Sequence, residues 1–133
     1  MNFKTFKQNK LVRDKIVQIM QEHGSKMYWI KLEDKDFIKQ LKIKLVEEAT
    51  EIAHTQNNDE LAEEMADLME VFQAFMQVCN ISQKEITALQ KKKRDEKGGF
   101  KSRTFLTFAE HPKDSPQERY CLANPTKYPE IKQ

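Results

Sequence analysis

The chain is poor in the residues that interrupt or staple a fold, with Gly 3, Pro 4, Cys 2 and Trp 1 among 133 residues. So little glycine and proline excludes collagen-like and low-complexity chains and leaves few natural helix breaks. The cysteines, Cys79 and Cys121, have no neighbours at metal-ligand or redox-motif spacing. That excludes a disulfide scaffold and a thiolate metal site, and two free thiols are expected. No apolar run approaches the roughly 18 residues that span a bilayer, and the start "MNFKTFKQNK" lacks the apolar stretch of a secretory signal. A cytoplasmic protein with no membrane partner is the expectation. Charge of one sign is also missing, since Lys+Arg 23 and Asp+Glu 21 leave a net charge of +2. A whole-protein field for nucleic acid is absent, and no nucleic-acid partner is expected.

What remains is a helical composition, with 38% hydrophobic and 33% charged residues. The length suits one compact domain, and the fold class expected is all-α. Apolar spacing predicts a first helix over Leu11 to His23, stopped by Gly24, then an extended connector, "SKMYWIKLE". A second helix from Asp34, its expected cap, to about Thr55 and a third from Asp59 to about Cys79 form a long antiparallel hairpin. Ser82 and Glu85 mark a capping box for a fourth helix, which runs through "KKKRDEK" to Gly98 and Gly99. Four helices with short links predict a bundle. Beyond them "FKSRTFLTF" reads as a short strand or an extended arm. All four prolines follow Ala109. The division expected is therefore a domain over 1–108 and a proline-containing extension over 109–133, docked as an extended strip.

The hairpin carries its acids in an unusual place. At about 100° per residue, Glu48 points with Phe37, Leu41, Leu45 and Ile52, the apolar stripe of the second helix. Glu51 lies about 60° and Glu47 about 100° to one side, so the three fan from the seam towards solvent. On the third helix Glu64 aligns with Leu61, Leu68, Val71 and Phe75, and Asp67 stands about 60° off. Carboxylates turned towards one seam repel each other and lose hydration unless a cation compensates. Oxygen ligands without histidine or cysteine suit a hard ion, Mg²⁺ or Mn²⁺ rather than Zn²⁺. By contrast, Glu60, Glu63 and Glu70 read as an ordinary solvated face.

With these motifs in view, the sequence resembles the MazG-like all-α nucleoside triphosphate pyrophosphohydrolases, in the phosphoribosyl-ATP pyrophosphohydrolase-like branch. "EEATE" fits the family's E-E-x-x-E and "EMAD" its E-x-x-D; "NKLVRDKI" and "KKKRDEKGGFKSRTFL" resemble the branch's first and last blocks. Together they cover residues 9 to 106, with Val17 where the branch usually has proline. The resemblance implies a helical bundle that uses Mg²⁺ to cleave the α–β phosphoanhydride of a nucleotide and release pyrophosphate. It implies Glu48, Glu51, Glu64 and Asp67 as metal ligands; Glu47 belongs to the motif but lies farthest from the seam, which leaves it a lesser role at a second metal or at the attacking water. No covalent nucleophile is required.

A triphosphate carries more charge than metal ions neutralise. Arg13 and Lys15 in the first block, and Lys91, Arg94, Lys97 and Arg103 in the last, are the candidate phosphate-binding residues, with Arg13 and Arg94 preferred for their planar fork. Tyr28, Trp29 and Asn80 are candidates for base recognition. His23, His54 and His111 are isolated and read as surface or capping histidines. The stripe Met65, Met69, Phe72, Phe75 and Met76 is wider than one seam needs, so a homodimer or dimer of dimers is expected. Possible substrates are a surplus or noncanonical nucleoside triphosphate and phosphoribosyl-ATP itself; a non-catalytic bundle that binds a nucleotide or a protein is the rival from another class.

Overall fold

The computed structural model describes residues 2–132. Five helices follow one another: α1 (Ile16–Glu22), α2 (Asp34–Ala53), α3 (Asn58–Cys79), α4 (Gln83–Lys97) and α5 (Pro116–Ala123). Among the described residues there is no strand, and the all-α class stands. The chain divides into two compact units, Met1–Lys93 and Arg94–Gln133.

In the first unit α2 and α3 form the hairpin, and theirs is the extensive helix–helix contact among the described residues. Its seam buries Leu41 and Val71, with Glu48 the buried charged residue beside them. The helix ends follow local chemistry. Asn57 caps α3 by accepting from the Glu60 amide at 2.9 Å, and Glu60 reaches back to accept from the Gln56 amide at 2.9 Å. Asn80 closes α3 in the left-handed conformation, φ 55°, where its short polar side chain is tolerated. Ser82 accepts from the Glu85 amide at 3.1 Å and opens α4 as expected. His23 and His54 each donate from Nδ1 to a carbonyl one turn back, Ile19 and Thr50, both at 2.7 Å. They finish α1 and α2, which is the capping role read from the sequence.

Three expectations need correction. α1 begins five residues later than Leu11; residues 11–13 are irregular, and the Ile16 amide donates to the Arg13 carbonyl in a turn that only then becomes helix. Gly24 does stop it, at φ 94°, with the Ser25 amide reaching the Met20 carbonyl. The cap of α2 is Glu33, without a side-chain bond, and Asp34 lies in the first turn, where its charge favours the helix dipole. Third, the strip after Ala109 contains a helix.

That helix, α5, sits in the second unit. Ser115 accepts from the Glu118 amide at 3.1 Å, Glu118 accepts from the Asp114 amide at 3.1 Å, and Pro116 occupies the first turn, where its missing N–H costs nothing. Arg119 donates to the Asp114 carbonyl at 2.6 Å, and the rings of Tyr120 and Tyr128 meet at 5.6 Å. The stretch 104–110 is irregular, an arm and not a strand.

Candidate metal and active site

α2 and α3 set their carboxylates against each other across the hairpin. One oxygen each from Glu48, Glu51 and Glu64 lie within 4.8 Å of one another. Their burial is graded as the helical spacing predicts: Glu48 is buried at 5% exposure, Glu64 is half-buried and Glu51 is exposed. Glu48 Oε2 and Glu64 Oε2 are both buried without a hydrogen-bond partner. Two orphaned acid oxygens in one seam are costly unless something positive meets them.

The electrostatics state the same conflict. Burial pushes the Glu48 carboxyl up from its ordinary range, the charges of Glu51 and Asp67 add to the rise, and a hydrogen bond with Glu64 opposes it. Glu64 is pushed up to about 7, first by the hydrogen bond it shares with Glu51, then by loss of hydration and by the charges of Glu51 and Asp67. That bond exists only when a proton lies between the two carboxyls; with all of them ionised there is no donor. Such a cluster favours a bound proton or a cation. Three hard oxygen ligands, from residues of which two carry a buried unpartnered oxygen, fit a divalent ion of the Mg²⁺ class, and no sulfur or nitrogen ligand joins them among the described residues.

Around this centre the other candidates separate. Asp67 contributes charge to the cluster, but its Oδ1 accepts from Arg13 at 2.6 Å, an ion pair spanning 54 positions. Arg13 thus rests on an expected metal ligand. Lys15 stands two residues on, at the start of α1. Lys91, Arg94 and Lys97 occupy the C-terminal half of α4, and Arg103 follows in a loop with φ 55°. Glu60, Glu63 and Glu70 are exposed, as an ordinary helix face would be. Tyr28 and Trp29 are also exposed in the irregular connector, and Asn80 lines a shallow, mostly apolar depression with Met76, Ile81, Gln73 and Gln77.

One residue was missed. Lys44 Nζ lies 3.4 Å from Glu47 Oε1 and 3.9 Å from Glu48 Oε1. The signal was present: a lysine three and four positions before two glutamates shares their helix face.

The second compact unit starts at Arg94, and the similarity to known proteins stops at the same place. The family described as PRA-PH, phosphoribosyl-ATP pyrophosphohydrolase, matches residues 9–94. That span takes in the first block, both acidic motifs and the whole hairpin; the expected last block beyond Arg94 lies outside it. No curated protein and no solved structure matches the chain. The chain belongs to the phosphoribosyl-ATP pyrophosphohydrolase family, within the MazG-like all-α nucleoside triphosphate pyrophosphatases.

Proposed function

We propose that the protein is a Mg²⁺-dependent nucleotide pyrophosphohydrolase that cleaves the α–β phosphoanhydride of a nucleoside triphosphate, giving the monophosphate and pyrophosphate. The observation that carries this reading is the meeting of Glu48, Glu51 and Glu64 across the hairpin with two buried oxygens unpartnered. These three, joined by Asp67, hold the ion, and Mn²⁺ can take its place. When bound, a divalent cation supplies neutralisation of phosphate charge and acidification of water. Arg13 presents its planar fork to phosphate oxygens from the rim, with Lys15 beside it in sequence. Removal of surplus or noncanonical triphosphates is the biological role that fits such chemistry. A second substrate, phosphoribosyl-ATP, is favoured by the family description and requires cleavage of the same anhydride.

The test is release of pyrophosphate from a panel of nucleoside triphosphates and phosphoribosyl-ATP with Mg²⁺, with Mn²⁺ and with chelator. Metal-dependent release from one or more of them is expected. A chain that releases none, and whose melting is indifferent to Mg²⁺ and to nucleotide, is instead a non-catalytic binding bundle.

The working unit we propose is a homodimer or a dimer of dimers. The hairpin buries two apolar side chains yet exposes Ile43, Val46, Met65, Met69 and Phe72, more apolar surface than a lone hairpin leaves to water. A second copy covering that face supplies the missing core. Sedimentation velocity should show a dimer or larger at micromolar concentration, reduced to monomer by Met69→Lys; a wild-type monomer would overturn the assembly.

A further inference from the structure

Glu47 has two roles open to it, at a second metal ion or at the attacking water, and the choice depends on what its oxygens already face. Lys44 stands one turn back on α2. Its Nζ lies 3.4 Å from Glu47 Oε1, 3.5 Å from Glu47 Oε2 and 3.9 Å from Glu48 Oε1. One ammonium thus faces both oxygens of Glu47 and one oxygen of Glu48. The fourth oxygen of the pair, Glu48 Oε2, is the buried one without a partner.

The two cations beside the cluster differ in mobility. Arg13 reaches Asp67 with 59% of its side chain exposed, so it exchanges readily with water or phosphate. Lys44 has 23% of its side chain exposed, so its ammonium is the better shielded of the two. An ammonium and a divalent ion compete for the same carboxylate lone pairs. Where the ammonium is covered and fixed, it keeps them.

We infer that Lys44 is a positioning residue that occupies Glu47 in place of a second metal ion and fixes Glu48 so that its free oxygen serves the ion held with Glu51 and Glu64. The inference rests on the metal-binding reading above. It gives adjacent glutamates of one motif different work: Glu48 holds the ion, and Glu47 stays outside the metal set.

Counting bound Mn²⁺ per chain, from the loss of the free-ion resonance during titration, tests this without reference to turnover. Lys44→Met should take up one more ion per chain than wild type, because Glu47 is released. Lys44→Arg should return the count to the wild-type value, and Lys44→Met combined with Glu47→Gln should lose the added ion. Glu47→Gln alone should leave the wild-type count unchanged, which decides the matter even if Lys44→Met fails to fold. If Glu47→Gln loses an ion, or folded Lys44→Met binds as wild type does, Lys44 does not hold Glu47 and the inference fails while the metal site stands. If wild type binds no Mn²⁺, the metal-binding reading and this inference fall together.

Discussion

The α2–α3 hairpin buries Leu41 and Val71 between its helices and gives a third buried position to Glu48, whereas no described residue of 94–132 is buried. In the second unit α5 is held by short-range contacts: the caps from Ser115 and Glu118, the Arg119 bond to Asp114, and the Tyr120–Tyr128 ring contact. A segment built from such contacts keeps its shape without setting like charges against each other. The hairpin instead holds acids together that water would keep apart, a conflict that a bound cation would relieve.

The largest expected effect of breaking the contrast is on turnover. Glu48→Gln and Glu64→Gln should each lower pyrophosphate release by about a hundredfold or more, since losing a ligand should cost at least what losing a ligand's supporting partner costs. Metal-free melting should not fall, because each change removes charge from a crowded seam. Near wild-type activity at saturating Mg²⁺ in either variant would remove that residue from the ligand set.

Next in size is linkage. Mg²⁺ at a hundred times its Kd should stabilise the folded chain by about 2.7 kcal/mol, and Glu64→Gln should abolish most of the shift. Truncation after Phe108 should leave the shift in place, because Glu48, Glu51, Glu64 and Asp67 all lie in the first unit. Loss of the shift on truncation would mean that the second unit takes part in metal binding.

The pH dependence gives a smaller effect of the opposite kind. With a folded pKa of about 7 against an ordinary 4.5, Glu64 keeps its proton in the folded state over a range in which the unfolded chain has released it. The folded state binds more protons, so the metal-free protein loses stability as pH rises through that window, and the penalty is complete above about 7. Mg²⁺ competes with that proton, so its stabilising shift should grow over the same rise. Melting curves between about pH 5 and about pH 8, with chelator and with Mg²⁺, should diverge upwards in pH; parallel curves would show that Glu64 carries no perturbed proton.

How far the sequence could be read follows the same division. The hairpin was legible because its signals are periodic: Leu41 and Glu48 fall on the stripe of α2 and Val71 on that of α3, and the fan from Glu48 to Glu51 became a gradient of burial. The Arg13–Asp67 pair was not, since residues 54 positions apart carry no mutual spacing signal. α1 came out shorter than its apolar pattern because Leu11 fits the helix period of Ile16, Ile19 and Met20 but sits in irregular chain before the turn at Arg13. α5 was readable and overlooked. Ser115 with Glu118 repeats the box that Ser82 and Glu85 provide for α4, and Pro116, one of the four prolines of the expected extended strip, is a helix starter at the first helical position.

The cap of α5 supplies the smallest test of the contrast between hairpin and second unit. Ser115→Ala removes the acceptor for the Glu118 amide and leaves Pro116 and the Glu118 bond to Asp114 in place. A lost cap of this kind costs about 1 kcal/mol of helix stability. Because the contacts of α5 are local, the cost should stay local: amides near Glu118 should exchange with solvent faster, while exchange along α2 and α3 and the Mg²⁺ shift should hold. The corresponding change in the hairpin, Asn57→Ala, frees the Glu60 amide at the start of the helix that carries Glu64 and Asp67, so it should weaken the Mg²⁺ shift as well as loosen the cap. If both substitutions loosened only their own turn, the hairpin would be as local in its energetics as α5, and the acids would need another reason for their rigidity.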